Sequence, residues 1–248
     1  MHLHLHLCLI MTNIEQNLAA VHTRIQQSCH KAGRSIHAVT LLAVSKTVSP
    51  EAIRVAIARG QRDFGENYIA EGVEKIEALA TERVKFGLQW HCIGPVQSNK
   101  TRLVAQHFDW VHTLDRVKIA ERLNDQRPVN AERLQVCIQV NIDGSITKSG
   151  VLPDDVMALA LSISKLPHLQ LRGIMAIPDV VPVSSGNAIK NIAIEAIYTP
   201  AIIIFNQLKG LYATVDTLSI GMSEDLEPAI MAGSTMVRVG SAIFGSRA

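Results

Sequence analysis

Lys46 is the residue of this sequence whose type and position most directly indicate chemistry. It follows the apolar run Leu41–Val44, which has the composition of a buried β-strand, so the amine is expected where that strand ends. Partial burial lowers the pKa of a lysine towards the range in which a neutral amine forms an imine with an aldehyde. A lysine at a strand end can also extend into solvent, so this residue alone leaves both interpretations open.

Two glycine- and serine-containing segments indicate an anion site. Gly221-Met222-Ser223 precedes an acidic helix start, where Ser223 can cap the helix and neighbouring N–H groups can bind an anion. In Gly240-Ser241 the glycine permits close backbone approach and the serine adds a hydroxyl. Each segment alone could equally be an ordinary cap or turn. Together they predict a seat for a phosphate group.

Arg238 precedes Gly240 by two residues, so both share one face of the last predicted strand. Its guanidinium only donates hydrogen bonds. If it donates to a pyridine nitrogen, that nitrogen stays unprotonated and the ring becomes a weak electron sink. The alternative is that Arg238 pairs with a carboxylate inside the fold.

An aldehyde-capturing amine and a phosphate seat together favour pyridoxal 5′-phosphate (PLP) as the ligand. A lyase that acts on a phosphorylated sugar aldehyde would use both features as well, so it remains open at this point. Arg238 favours PLP over a sugar aldehyde, because PLP has a ring nitrogen that can accept its hydrogen bond. An unprotonated ring nitrogen would also make the stabilisation of carbanions by the cofactor weak.

Eight candidate strands, separated by helix-length amphipathic segments, must position these residues. They are Val39–Val44, Arg62–Phe64, Leu88–Ile93, Trp110–Leu114, Leu134–Val140, Leu169–Met175, Thr214–Leu218 and Thr235–Val239. Strands joined by helical crossovers run parallel, and eight such units predict a single-domain (β/α)₈ TIM barrel with its site at the carboxyl ends. A doubly wound open sheet is the alternative, weakened because no G-x-G-x-x-G follows the first strand.

The start of the chain is expected to lie outside the barrel. Residues 1–11, in which histidines alternate with leucines, are expected to be a disordered or artefactual extension, because they lack the basic start of a signal peptide. Thr12 and Glu15 form a capping box that predicts a helix from about Asn13 to Ala32. The PLP-binding barrel domain then covers residues 12–248.

The least regular stretch is Asp179–Leu211. Ser184–Asn187 has loop composition, and Pro200 is expected to interrupt what would otherwise be one helix.

Composition limits the partners. The 24 basic and 22 acidic residues are scattered, which argues against nucleic acid, and no apolar run approaches the ~20 residues of a membrane span. The 4 cysteines include no CxxC pair, which argues against a zinc site and is typical of a reducing compartment. We therefore expect a cytoplasmic, monomeric protein without a metal whose partners are small molecules.

The sequence resembles the pyridoxal phosphate homeostasis protein family, whose barrel is similar to the N-terminal domain of alanine racemase. The segments that carry the resemblance are LLAVSKT (41–47), FGENY (64–68), WHCIGPVQSNK (90–100), HFDWVHTLDR (107–116), TKSG (147–150), RGIMAIP (172–178), LSIGMSEDLEPAI (218–230) and TMVRVGSAIFG (235–245). The resemblance spans about residues 14–247. It implies a barrel of the PLP fold-type III kind.

The resemblance also implies roles for individual residues. Lys46 would carry the cofactor as an internal aldimine, and Arg238 would face the pyridine nitrogen. Ser223, Gly240 and Ser241 would hold the phosphate, with a serine at 241 where the family usually has threonine.

Four further residues complete the predicted site. Asn67 and His91 would line the pocket, and Lys148 would be a second, non-covalent contact for the cofactor. Met175, which ends the sixth predicted strand, is placed at the same rim. The alternatives are a helix cap for Asn67, a hydrogen-bonded interior histidine for His91, and a solvated loop lysine for Lys148.

Two departures from related sequences bear on function. Residues 179–205 are rich in isoleucine where similar sequences have a polar, charged helix, so the sixth helix is expected to be displaced or to form a contact surface. Alanine racemases also take an acid/base tyrosine from a second, β-rich domain, whereas here only Tyr68 lies near the predicted mouth. We therefore expect no catalytic residues.

The predicted function is a PLP carrier that binds, buffers and delivers the cofactor, in transient contact with PLP-dependent apoenzymes. A slow amino-acid racemase and a phospho-aldehyde lyase that uses Lys46 are the alternatives.

Overall fold

The computed structural model describes residues 2–179 and 195–245, with side chains from residue 13 onward. Its strands are β1 (Thr40–Val44), β2 (Asp63–Glu66), β3 (Gln89–Cys92), β4 (Trp110–Leu114), β5 (Leu134–Gln139), β6 (Leu169–Met175), β7 (Thr217–Ser219) and β8 (Met236–Val239). Each neighbouring pair is parallel, and β8 closes on β1. The predicted eight-stranded barrel is therefore confirmed, and the open-sheet alternative is excluded.

Helices surround this barrel over the described ranges. They are α1 (His2–Lys31), α2 (Pro50–Ala58), α3 (Ile69–Ala78), α4 (Ala80–Phe86), α5 (Thr101–His107), α6 (Val117–Gln126), α7 (Val156–Ser164), α8 (Thr199–Leu211), α9 (Leu226–Met231) and α10 (Ser241–Phe244). Short 3₁₀ turns cover Ile36–Ala38 and Pro153–Asp155.

The main hydrophobic core lies between the strands and the helices. On β8, Val237 and Val239 are fully buried in it, and Arg238 between them faces the barrel interior. The predicted stripe of α7 is buried in the same core through Val156 and Ile163, which confirms the helical spacing in that segment. This shell of apolar contacts holds the barrel closed and fixes where its strand ends lie.

The leading helix is longer than its sequence predicted. It begins at His2 rather than after Met11, so Thr12 is an interior residue and not an N-cap. The physical reason is that neither proline nor glycine occurs between residues 2 and 31 to stop the helix. Further along, Ile14, Leu18, Val21 and Ile25 form a buried stripe, and α1 packs against α2, α9 and α10.

The segment before β7 contains the predicted helix break. Residues 195–197 are helical, Tyr198 is a turn, and α8 begins at Thr199 with Pro200 in its first turn, where the missing N–H of proline costs nothing. The isoleucine-rich region is partly accounted for, since Ile204 and Phe205 are buried in the core. The predicted loop Ser184–Asn187 lies outside the described residues.

Among the described helices, none combines the length and the apolarity that crossing a membrane would require.

Candidate functional site

A cavity of about 970 Å³ opens at the carboxyl ends of the strands. Its walls come mainly from the ends of β1 and β8 and from the segments that follow β1, β6, β7 and β8, which the closed barrel brings together. Six of the nine predicted site residues line it, namely Lys46, Asn67, Ser223, Arg238, Gly240 and Ser241. The barrel topology therefore collects most of the predicted site in one place.

The backbone on both sides of Lys46 is held in place. The carbonyl oxygen of Ser45 accepts a hydrogen bond from Lys75 Nζ at 2.6 Å, and the N–H of Thr47 donates to Glu71 Oε1 at 2.5 Å. Thr47 has φ of 64°, a left-handed conformation that costs a residue with a Cβ about 1–2 kcal/mol. These contacts give the Lys46 side chain a fixed starting point at the cavity wall.

A buried ion cluster lies directly behind this segment. Lys75 Nζ is 3.0 Å from Glu66 Oε1 and 2.5 Å from Glu71 Oε1, and Ser45 Oγ donates to Glu66 at 2.5 Å. Burial raises the pKa of Glu66, although the charge of Lys75 and the hydrogen bond from Ser45 act in the opposite direction. Sequence reasoning missed this cluster; its one local signal is the four-residue spacing of Glu71 and Lys75 on α3.

Arg238 supplies a buried positive charge to the cavity wall. It donates to the carbonyl and hydroxyl oxygens of Ser219, both at 2.8 Å, and to the carbonyl of Ala176 at 3.2 Å. Burial lowers its pKa, but a guanidinium remains charged. Within the described residues Arg238 forms no ion pair, so the predicted alternative of a carboxylate partner is not what the structure shows.

The Gly221–Ser223 loop is held by contacts different from those expected. Ser223 does not cap α9, because that helix begins at Leu226 with Asp225 in the N-cap position. Asp225 turns its carboxylate to the N–H of Met222 at 2.7 Å instead. Arg24 donates to the Ser223 carbonyl at 2.9 Å and pairs with Glu227, so helix α1 also anchors the loop.

Gly240 and Ser241, the other predicted part of the anion seat, line the same cavity. A Cβ at Gly240 would lie 3.3 Å from both the Cβ and the carbonyl oxygen of Val44, so glycine brings the segment close to β1. Ser241 opens α10, a single turn in which the N–H groups of Ile243 and Phe244 donate to the Gly240 carbonyl oxygen at 2.9 and 3.0 Å. The hydroxyls of Ser223 and Ser241 make no hydrogen bond to any described residue, and both line the cavity. They are therefore available to an anion.

Asn67 contributes a polar atom with no protein partner among the described residues. Its Oδ1 is buried and makes no hydrogen bond, and the residue lines the cavity. It does not cap α3, because Tyr68 is in the N-cap position and no side chain bonds there. Gly94 packs on Asn67 so closely that a Cβ would lie 1.9 Å from the Asn67 carbonyl oxygen. An unsatisfied side chain held this firmly fits a ligand contact.

Two predicted pocket residues lie inside the barrel instead of on the cavity wall. His91 is fully buried, with its ring nitrogens 3.0 Å from Asp63 Oδ1 and 2.9 Å from His112 Nε2. It is thus the hydrogen-bonded interior histidine that the sequence offered as an alternative. Met175 is buried in the interior next to Trp110. Ile93 and Ile177, two residues further along the chain in each case, line the cavity instead.

Lys148 lies near the cavity but does not line it. Its ammonium pairs with Asp143 and, at 3.0 Å, with Asp179, and it donates to the Ile177 carbonyl at 3.1 Å. Burial alone would lower its pKa, but the two carboxylates outweigh burial and the pKa is raised. Lys148 is therefore neither the solvated lysine of the alternative nor a wall residue; it links the loops that follow β5 and β6.

The chemistry available to this cavity follows from its parts. The cavity wall carries a lysine, a permanently charged arginine and two serine hydroxyls, a combination that suits a small anionic carbonyl compound. Tyr68, the only tyrosine expected at the mouth, is 58% exposed and not on the wall. No group of three potential metal ligands occurs among the described residues.

Comparison with known proteins supports a common origin for this arrangement. The family model for the alanine racemase N-terminal domain matches residues 16–248. The pyridoxal phosphate homeostasis protein of Vibrio cholerae is 52% identical over 237 residues, which cover 96% of this chain and 98% of the relative.

Two solved structures place the fold among related barrels. PipY of Synechococcus elongatus, solved with PLP bound, is 33% identical, covers 94% of this chain and 100% of its own, and has a TM-score of 0.72. Alanine racemase of Corynebacterium glutamicum, at 18% identity, shares the fold with a TM-score of 0.61 over 94% of this chain and 60% of its own. The chain therefore belongs to the alanine racemase N-terminal domain family, together with the pyridoxal phosphate homeostasis proteins.

Proposed function

We propose that this protein binds PLP and serves its homeostasis by holding, buffering and delivering the cofactor, without substantial turnover of its own. The observation that carries the proposal is the meeting of Lys46, Arg238 and the anion seat in one cavity at the junction of β1 and β8. PLP is an aldehyde with a ring nitrogen and a phosphate, so it matches all three features.

Each feature has an assigned task. Lys46 would bond covalently to the aldehyde, and Arg238 would donate to the ring nitrogen. The hydroxyls of Ser223 and Ser241 and the backbone at Gly240 would hold the phosphate. Asn67, whose Oδ1 has no described partner, would meet a polar group of the ring. When bound, PLP supplies a reversible imine linkage, which is what a carrier needs to take up and release it.

The arrangement of these side chains favours reversible binding of PLP over catalytic turnover of a substrate. A donor that stays charged at the ring nitrogen keeps that nitrogen unprotonated, which weakens the ring as an electron sink. Tyr198, the buried tyrosine, donates its hydroxyl to Asp225, and burial raises its pKa, so it is not positioned as a base. Tyr68 is exposed and does not lie on the cavity wall, so it is not positioned beside a bound ligand.

The cellular setting remains part of the proposal. Cys29, Cys92 and Cys137 are free and buried, which suits the cytoplasm. There a monomer could release PLP to apoenzymes that depend on it.

The decisive experiment is borohydride reduction of the PLP-loaded protein followed by peptide mass spectrometry. We expect the adduct on Lys46, its loss in Lys46→Ala, and its retention in Lys118→Ala, which removes an exposed lysine on α6. An adduct on another lysine, or an unchanged absorption spectrum in Lys46→Ala, would refute the assignment. Exchange of the α-proton of alanine at rates typical of racemases, lost in Tyr68→Phe, would establish the racemase alternative.

A further inference from the structure

A continuous chain of hydrogen-bonded side chains crosses the interior of the barrel and ends at Arg238. Asp63, the first residue of β2, contacts His91 at 3.0 Å, and His91 contacts His112 at 2.9 Å. The chain continues from His112 Nδ1 to Ser219 Oγ at 3.1 Å, and Arg238 donates to that hydroxyl at 2.8 Å. It therefore joins the amino-terminal end of the barrel to the cavity at the other end.

The burial of this chain makes its hydrogen bonds costly to lose. His91, His112 and Ser219 are fully buried, and the five residues come from five different strands. A buried polar group without a partner costs about 1–3 kcal/mol, so a chain like this one persists only when every member is satisfied. Asp63, with a side chain 26% exposed, is the member that reaches water at the far end.

The two ends of the chain determine where its protons lie. Arg238 can only donate hydrogen bonds, so the Ser219 oxygen accepts from it. The Ser219 hydroxyl is then able to donate its own hydrogen bond to His112 Nδ1. His112 then carries its proton on Nε2 and donates to His91 Nδ1. His91 in turn carries its proton on Nε2 and donates to the Asp63 carboxylate, which can only accept when ionised.

One further observation agrees with this direction. Burial, together with the nearby charge of Arg238, holds the pKa of His112 well below its usual range, so this imidazole is neutral and must adopt one tautomer. The opposite direction would require either a proton on Asp63 or a doubly protonated His91. Each would place the proton of His112 on Nδ1.

We propose that Asp63, His91, His112 and Ser219 form a positioning relay that orients Arg238, with every proton donated away from the cavity and both imidazoles in the Nε2–H form. The relay holds the edge of the guanidinium that carries Nη1 towards Ser219 in the barrel interior. The remaining N–H donors are left for the ring nitrogen of the ligand. This role rests on the proposed function, because it assigns that partner to Arg238. None of the four residues lines the cavity.

The first test needs no ligand. In the full-length protein labelled with ¹⁵N-histidine, two-bond ¹H–¹⁵N correlation spectra distinguish the two neutral tautomers and the charged ring. We expect His91 and His112 to show the Nε2–H pattern. A proton on Nδ1 of His112, or a doubly protonated His91, would overturn the relay.

The second test measures whether a change at Asp63, the end of the relay far from the cavity, alters the binding of PLP. Asp63→Asn should weaken PLP binding by about three- to tenfold and shift the absorption of the bound cofactor, since network changes of this kind are typically worth a few-fold to tens-fold. Asp216→Asn is the matched control. Asp216 lies at the same end of the barrel, beside β7, but pairs with Arg172 and does not contact either histidine.

The outcomes separate this inference from the proposed function. Equal binding by the wild type and Asp63→Asn, or equal weakening in both variants, would overturn the relay while leaving PLP binding intact. A wild type that binds no PLP would refute the proposed function, and the tautomers would still decide the direction of the chain. If Asp63→Asn does not fold, Ser219→Ala breaks the chain next to Arg238 and should weaken PLP binding similarly; unchanged affinity there would also overturn the relay.

Discussion

Lys75 Nζ donates to the carbonyl oxygen of Ser45 at 2.6 Å, one residue before Lys46, while it pairs with buried Glu66. One ammonium group thus satisfies the backbone beside the cavity and a carboxylate behind it. Lys75→Met would leave Glu66 buried without a cation, which typically costs about 3–5 kcal/mol. Urea denaturation should show this loss, and the fraction of Lys46 that binds PLP covalently should fall with it.

A double variant provides the control for that prediction. Glu66→Gln combined with Lys75→Met removes both charges, so much of the lost stability should return. If Lys75→Met alone cost less than about 1 kcal/mol, the cluster would not have the role described here.

Gly94→Ala tests the contact that holds Asn67. Because the new Cβ would lie 1.9 Å from the Asn67 carbonyl oxygen, the backbone must move, and we expect a loss of more than about 3 kcal/mol or failure to fold. Gly210→Ala is the matched control, since it meets nothing within 4 Å and lies in α8, where alanine should stabilise by about 0.5–1 kcal/mol. Similar melting temperatures for the two variants would contradict the packing.

The pair of Arg24 and Glu227 predicts a pH dependence. Burial alone would raise the pKa of Glu227, but the hydrogen bond and charge of Arg24 outweigh it, so the pKa is lowered. A lowered carboxyl pKa stabilises the fold above the unfolded value, about 4.3 for glutamate, and that contribution disappears as the pH falls through the folded pKa.

Arg24→Met should therefore destabilise the protein at neutral pH and progressively less below about pH 4. The pair is partly exposed, so the effect at neutral pH should not exceed about 1 kcal/mol. Arg133→Met, which removes an exposed arginine without an ion pair among the described residues, is the control. A stability difference that stayed constant from neutral to acidic pH would argue against the pair. The same variant should bind PLP less tightly, because Arg24 also holds the Ser223 carbonyl.

Cys92 and Cys137 should be unreactive while the protein is folded. Burial raises the pKa of each thiol to about 12, so little thiolate forms at neutral pH. A pulse of iodoacetamide followed by peptide mapping should label neither cysteine until denaturant is added. Labelling of either one at the rate of a small free thiol would show that the interior opens more readily than its packing indicates.

The strands show how far local sequence patterns reach. The predicted bounds of β4 and β6 match the structure because Trp110–Leu114 is rich in aromatic and β-branched residues, and Leu169–Arg172 alternates apolar and polar residues. β2 was predicted to end at Phe64 but continues to Glu66, since glycine and a charged residue resemble a loop. Lys75, which lies on α3, and the hydroxyl of Ser45 stabilise the buried Glu66. Those contacts cannot be derived from the strand itself.

Some features of the candidate site could be predicted from the sequence and others could not. The position on the cavity wall could be predicted for Lys46, Arg238 and the serines at 223 and 241, because each lies at or after the end of a strand and barrel topology fixes where strand ends meet. The hydrogen bond between His112 and Ser219 could not, because it joins side chains 107 residues apart whose rotamers depend on packing. For the same reason the sequence could not decide whether His91 faced the cavity or the interior.

The closing of β8 on β1 has a consequence for biosynthesis. Under the proposed function, a growing polypeptide carries the amine of Lys46 early, but it gains the phosphate seat only after β8 has been made and has paired with β1. We therefore expect capture of PLP by the amine and the phosphate seat together to begin only after β8 has docked.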